Sequence, residues 1–424
     1  MSSFFMCCER IMQHPHCPLF VRIYGFCCAE ESFRFGMAAG MSGGVGVGRV
    51  LGIAAAKRAR LFCYLLPCSL ILIFVAAHSR MSGGGGGGGM LPMCLPQTKV
   101  GFLKMHKCAS STVQNILFRY GEAHDLNFVL PSKNNYLGKE VPFNRTQIAD
   151  VPWSGIGYDI FAVHTVWNFA EVQALLGPAA TFISIVRDPV DLFESLYTYA
   201  RWDQLFKMSL YRFARAVSLN TTRSQDFLTV GAGYSGHNQM LHDFGLPEKD
   251  SYSVAKVRKK IADIEQEFDL VMVAEDLDAS LVLLSETLCW PLEAMVALPV
   301  NVRFPQYKQP LDEQTRALLR DWLWADQMLY QHFKRLFHRR KHEFGEVRLH
   351  EAMQRLRKLN HAAREMCGVS ETNFDNSNGV FRPSNNLVKG YEVNHVTDCI
   401  NMARSELSYI DILRNKQVEK AKNV

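Results

Sequence analysis

Two stretches whose turns sit 80 positions apart, from Lys107 to Arg187, constrain this chain most, because each reads as a strand feeding a helix through a tight turn. In the first, Val100 to Met105 has the apolar character of a buried strand. From Ser111 onward, Val113, Ile116, Leu117 and Tyr120 recur at helical steps, with Gly121 expected as the stop. Between them lie His106, Lys107, Cys108, Ala109, Ser110, Ser111 and Thr112. A helix start carries N–H groups without partners and a favourable dipole, so a lysine and hydroxyls at this turn suit an anion. The Walker A pattern is absent. Taken alone, the corner also fits a Ser/Thr-capped helix beside a solvated lysine.

The second corner begins with Thr181 to Val186, short and β-branched, as a parallel strand covered on both faces requires. Pro189 suits a first helical turn, and Leu192, Phe193, Leu196 and Tyr199 carry the helical spacing. Arg187 at the strand end and Ser195 in the helix are placed to meet a second anionic group, with an Arg187–Asp188 surface pair as the plain alternative. Two such corners predict an α/β fold, a P-loop-like parallel sheet flanked by helices, with its ligand at the carboxyl edge.

The 424 residues are 48% hydrophobic with a mean hydropathy of −0.06, enough for a large core and unlike a polytopic membrane protein. A net charge of +6 suits an anionic ligand but does not imply nucleic acid. Of the 12 cysteines, seven precede residue 69, and none forms a CxxC pair or a zinc-finger spacing, so no metal site is expected. In a lumenal domain Cys289, Cys367 and Cys399 become disulfide candidates with unreadable pairing, and buried free thiols are the alternative.

Lys57, Arg58 and Arg60 precede an uncharged run from Leu61 to Ala77, near the minimum length for a membrane span. The cationic flank puts the N-terminus in the cytoplasm and the remainder in the lumen, and a cleaved signal peptide is the rival. Gly83 to Gly89 then reads as a flexible tether. The expected organisation is a cytoplasmic tail (1–60), a signal-anchor (61–77), a Gly-rich stem (78–96) and a catalytic domain (97–424). Asn144 and Asn220 begin glycosylation sequons, usable if the domain is lumenal.

HKCASST followed by RDPVDLFESLY resembles the pair of motifs that binds 3′-phosphoadenosine 5′-phosphosulfate (PAPS) in Golgi carbohydrate sulfotransferases. FLKMHKCASST with NILFRYG, and EDLDASLVLLSETLCW further on, are similar to the galactose-3-O-sulfotransferase family in particular. That resemblance implies PAPS as donor, no metal, a type II Golgi membrane protein, and a galactose-terminated glycolipid or glycan as acceptor. It implies that residues 107–112 grip the 5′-phosphosulfate and that Arg187 and Ser195 hold the 3′-phosphate. Met105 and Cys108 depart from the family pattern, which usually has threonine at both, and Cys108 thereby loses a hydroxyl donor.

Sulfuryl transfer to a sugar hydroxyl needs a general base and charge stabilisation on the leaving phosphate. Lys107 is expected in the second role. His164, after the strand-like run Ile160 to Val163, is expected as the base, with His106 as competitor and Asp159 and Glu171 as weaker options. Trp153, Tyr158 and Trp167 offer sugar-stacking faces or ordinary core packing, and His237, Asn238 and Gln239 offer hydrogen bonds to hydroxyls. The basic stretch Lys334 to Lys358 reads as solvated helix faces. Sulfation of a uronic acid, or an inactive glycan-binding relative, are the alternative functions.

Overall fold

The computed structural model describes residues 94–138, 141–148, 151–219, 236–308, 310–372 and 387–423. Strand β1 (Val100–Leu103) leads into α1 (Ser110–Ala123), followed by β2 (Phe128–Val129) and β3 (Ile160–Phe161). Next come α2 (Phe169–Leu176), β4 (Thr181–Val186), α3 (Pro189–Tyr199), α4 (Leu210–Ser218) and α5 (Gln239–Asp243). Then α6 (Val254–Glu267), β5 (Leu270–Val273) and α7 (Leu277–Leu288) complete the sheet region.

The five strands run parallel in the order β2-β3-β1-β4-β5. Val100 to Leu103 face Thr181 to Ser184 in register, so both predicted corners leave the same edge of the sheet side by side. All of β1 and nearly all of β4 are buried, which is why both segments read as unbroken apolar runs. The chain lays β2 and β3 on one side of β1, and β4 and β5 on the other. That reversal lies where open parallel sheets bind their ligands.

Two local expectations change. β1 stops at Leu103, and α1 continues past Gly121 to Ala123. A Cβ on Gly121 would lie 2.5 Å from Phe128 Cζ and 2.8 Å from Ile160 Cδ1. Glycine there lets α1 lie close against β2 and β3 instead of ending the helix.

Beyond the sheet region run α8 (Glu313–Trp322), α9 (Trp324–Phe344) and α10 (Glu346–Met366). The basic stretch spans α9 and α10, where Leu349 and Leu356 are buried and most of the cations are exposed. A small hairpin of β6 (Ser370–Thr372) and β7 (Gly390–Glu392), then α11 (Thr397–Ala403), precede the final helix α12 (Glu406–Lys422). Gln417 on α12 accepts from the Phe128 N–H at 2.6 Å and donates to its carbonyl at 3.0 Å, covering the free edge of β2.

Disulfides join Cys94 to Cys289 and Cys367 to Cys399. Among the described residues no helix is long and apolar enough to cross a membrane. The Leu61–Ala77 run, the glycine tract, the tail and the Asn220 sequon lie outside the described residues, whereas Asn144 is exposed.

Candidate active site

The loop after β1 is held in a conformation that ordinary residues avoid. Lys107 and Ala109 have φ of 56° and 59°, in the left-handed region that costs a side-chain-bearing residue about 1–2 kcal/mol. Three bonds fasten it. The Ser110 hydroxyl donates to the Met105 carbonyl at 2.5 Å, the Thr112 N–H to the Ala109 carbonyl at 3.1 Å, and Arg187 Nη1 to the Lys107 carbonyl at 2.9 Å. The last bond ties the two corners together.

The two helix starts differ in a telling way. At α3 the Asp188 carboxylate accepts from the N–H groups of Val190 and Asp191, so that end is capped and Arg187 is left to turn toward Lys107. At α1 the preceding residue is the exposed Ala109, which supplies no side-chain cap. An uncapped helix start beside cations is an anion cradle.

Lys107 is partly buried, with its ammonium 3.6 Å from the centroid of the Tyr199 ring. Neither it nor Arg187 has a carboxylate partner among the described residues. Burial first, then Lys104, Arg187 and Arg303, push the Lys107 ammonium down to about 7. The surplus of positive charge suits a multiply charged anion. Ser195 is buried on α3 beside Glu194, and its hydroxyl makes no hydrogen bond to another described residue.

Other loop residues divide by side-chain direction. Cys108 belongs to the hydrophobic core, and burial raises its thiol well above the usual range, so only its backbone can serve a ligand. Ser110 spends its hydroxyl on the loop itself. Ser111 is partly exposed, whereas Thr112 is buried.

Both candidate bases come together, with the rings of His106 and His164 stacked 4.3 Å apart and Tyr136 stacked 4.9 Å from His164. The extended segment after β3 puts them there, because His164 pairs with Tyr136 by a parallel bridge. His164 Nε2 lies 2.8 Å from Lys104 Nζ, which also pairs with Glu406 at 3.1 Å. His106 Nδ1 lies 2.7 Å from Asp243 Oδ2, and its Nε2 lies 3.0 Å from the Tyr136 hydroxyl. Of the weaker options, Asp159 pairs with Lys99 and Glu171 with Arg145, away from the histidines.

Three side chains expected to meet the acceptor are buried and engaged within the protein. Trp167 is 2% exposed and packs among Phe161, Phe182 and Phe268. Buried His237 lies 2.9 Å, through Nε2, from the Trp322 carbonyl. Asn238 accepts from the Asp326 N–H at 3.0 Å. These side chains build the core under α5. Trp153 is buried as well, and Tyr158 nearly so.

Sequence reasoning missed Lys104, Tyr136, Asp243, Arg303 and Glu406. Arg303 forms a two-pronged pair with Glu194, one arm at 2.8 Å, and its Nε is buried without a partner among the described residues. The only advance signal was a charge inside an otherwise apolar strand end, at Lys104. The others arrive from remote segments. No group of three or more potential metal ligands occurs among the described residues.

The sequence model described as galactose-3-O-sulfotransferase matches residues 59–417. Galactosylceramide sulfotransferase of Bos taurus is 32% identical over 277 residues, covering 65% of this chain and 65% of that protein. Galactose-3-O-sulfotransferase 2 of Mus musculus is 30% identical over 337 residues, covering 74% of this chain and 84% of its own. Galactose-3-O-sulfotransferase 4 of Homo sapiens is 28% identical over 416 residues, with 77% and 84% covered. The chain thus spans just under two thirds of the bovine galactosylceramide enzyme it matches. With a family match over most of its length, this chain belongs to the galactose-3-O-sulfotransferase family.

Proposed function

We propose that this protein is a PAPS-dependent sulfotransferase acting on the 3-hydroxyl of a β-galactose residue, carried by a glycolipid or a glycoprotein glycan. The observation that carries the reading is the Arg187–Lys107 bond, which brings two corners and their unpaired cations to one edge of the sheet. The uncapped start of α1 and Lys107 serve the 5′-phosphosulfate end. Arg187 and Ser195 serve the 3′-phosphate end.

The donor supplies an activated sulfuryl group, and the protein supplies position and charge. Lys107 neutralises the oxygen that leaves with the 5′-phosphate. One of the two stacked histidines takes the acceptor proton. No metal has a role in this scheme. Two disulfides and the exposed Asn144 sequon support a lumenal catalytic domain, and the basic flank of Leu61–Ala77 supports a single-span type II anchor in the Golgi membrane.

The test is transfer of labelled sulfate from PAPS by the detergent-solubilised full chain to galactosylceramide, to β-galactosyl glycans and to uronic-acid polymers. Product on a galactoside that disappears when its 3-hydroxyl is blocked supports the proposal. Transfer to uronides alone, or no PAP binding, overturns it.

A further inference from the structure

The acceptor hydroxyl must lose a proton, and the two stacked imidazoles have opposite surroundings. At His164 the Nε2 lone pair accepts from Lys104 Nζ at 2.8 Å, and Glu406 holds that Nζ from its other side at 3.1 Å, opposing the burial that lowers the Lys104 pKa. The remaining ring nitrogen, Nδ1, is then protonated, and it is buried without a hydrogen-bond partner among the described residues. Burial, then Lys104 and His106, hold the His164 pKa well below the usual imidazole value. These outweigh the Lys104 backbone, which acts the other way, so a positive charge at that ring is disfavoured.

His106 faces a carboxylate instead. Asp243 is 1% exposed, and its oxygens are fixed by the His106 N–H at 3.0 Å and by Gln239 Nε2 at 2.8 Å. Burial alone would raise this carboxyl, but His106 opposite it, with His242 at 3.7 Å on the other oxygen, overcomes that and keeps it ionised far below the carboxylate range. An ionised carboxylate only accepts, so the His106 Nδ1–H donates and Nε2 presents its lone pair. The Tyr136 hydroxyl, 3.0 Å away, shows that an O–H group fits against that nitrogen. Helix α5, which carries Asp243, is anchored by Asp326, whose carboxylate accepts from the Met240 and Leu241 N–H groups, each at 2.9 Å.

Resting on the sulfotransferase reading, we infer that His106 is the base that takes the acceptor proton at Nε2, that Asp243 is its positioning residue, and that His164 orients Lys104. The acceptor hydroxyl takes the place the Tyr136 hydroxyl holds. As its oxygen bonds to sulfur, its proton passes to His106 Nε2. The bond from sulfur to the bridging oxygen breaks, and that electron pair leaves on the 5′-phosphate of PAP beside Lys107. The imidazolium, steadied by Asp243, returns its proton to solvent after release.

The experiment compares His106→Gly, His164→Gly and Asp243→Asn in the full-length chain, using labelled PAPS, a β-galactoside and added imidazole. His106→Gly is expected to lower kcat about 100- to 10,000-fold, with imidazole restoring part of the rate. His164→Gly gains nothing from imidazole, because its lesion is a displaced Lys104. Asp243→Asn lowers kcat while the donor KM stays within about twofold of wild type and Tm within about 3 °C, which a merely structural aspartate would not allow. Near-normal kcat in His106→Gly, or imidazole rescue confined to His164→Gly, overturns the assignment. If His106→Gly fails to fold, an unchanged kcat in Asp243→Asn overturns it. A wild-type chain that transfers no sulfate instead defeats the sulfotransferase reading, and this assignment with it.

Discussion

Lys107 makes donor binding depend on pH in a direction opposite to the usual expectation for a phosphate ligand. Its ammonium sits near 7 in the free protein because burial and three cationic neighbours disfavour the charge. An anionic nucleotide removes that penalty and returns the group toward its ordinary value of 10.5. Binding above neutrality therefore takes up a proton, and affinity falls as pH rises past the free-state pKa. The protonated fraction of Lys107 in the free protein is about 1/(1 + 10^(pH − 7)), and the apparent Kd scales with its inverse, so Kd rises about 16-fold between about pH 7 and about pH 8.5, roughly 1.6 kcal/mol. Starting near neutrality matters because the 3′-phosphate of PAP completes its own ionisation at about pH 6, which acts in the other direction.

Titration calorimetry with PAP in two buffers of different ionisation enthalpy measures both the Kd and the proton taken up. Lys107→Arg is the control, since a guanidinium stays charged throughout. Its affinity differs from wild type, but its pH slope should vanish. A flat wild-type profile, or the same slope in Lys107→Arg, would refute the reasoning.

Arg187→Ala removes charge-assisted bonds of about 1.5–3 kcal/mol and the tie to the Lys107 carbonyl, so the Kd for PAP should rise at least about 10-fold by calorimetry. Gly121→Ala forces a methyl group against Phe128 and Ile160; denaturant unfolding should show a loss of about 1–3 kcal/mol, with PAP affinity unchanged. Replacing Cys367 and Cys399 by alanine opens a 32-residue loop and should cost about 3–4 kcal/mol, read as a lower Tm in a scan without reductant.

The parallel sheet and both corners were legible because buried strands and amphipathic helices write their periods locally. Val100–Leu103, Thr181–Val186 and the α3 face needed no distant partner to be recognised. Local pattern could also nominate Lys107 and Arg187, since a cation at a strand end is visible in one dimension. It misread Gly121, whose neighbours Phe128 and Ile160 come from other strands, and it overvalued Trp167, His237 and Asn238, whose polarity or aromaticity says nothing about burial.

The identity of the proton acceptor was of another kind. In the chain His106 and His164 both follow strand-like runs, and position favoured His164 as the base, with His106 as competitor. Asp243 reaches His106 from 137 positions away, and Glu406 reaches Lys104 from the last helix. Sequence alone determined that two strand-to-helix turns carrying Lys107 and Arg187 belong to parallel strands, because strand and helix propensities are short-range. Only the tertiary structure decided which imidazole faces a carboxylate and which an ammonium, because electrostatic surroundings are set by whatever folding brings within a few ångströms.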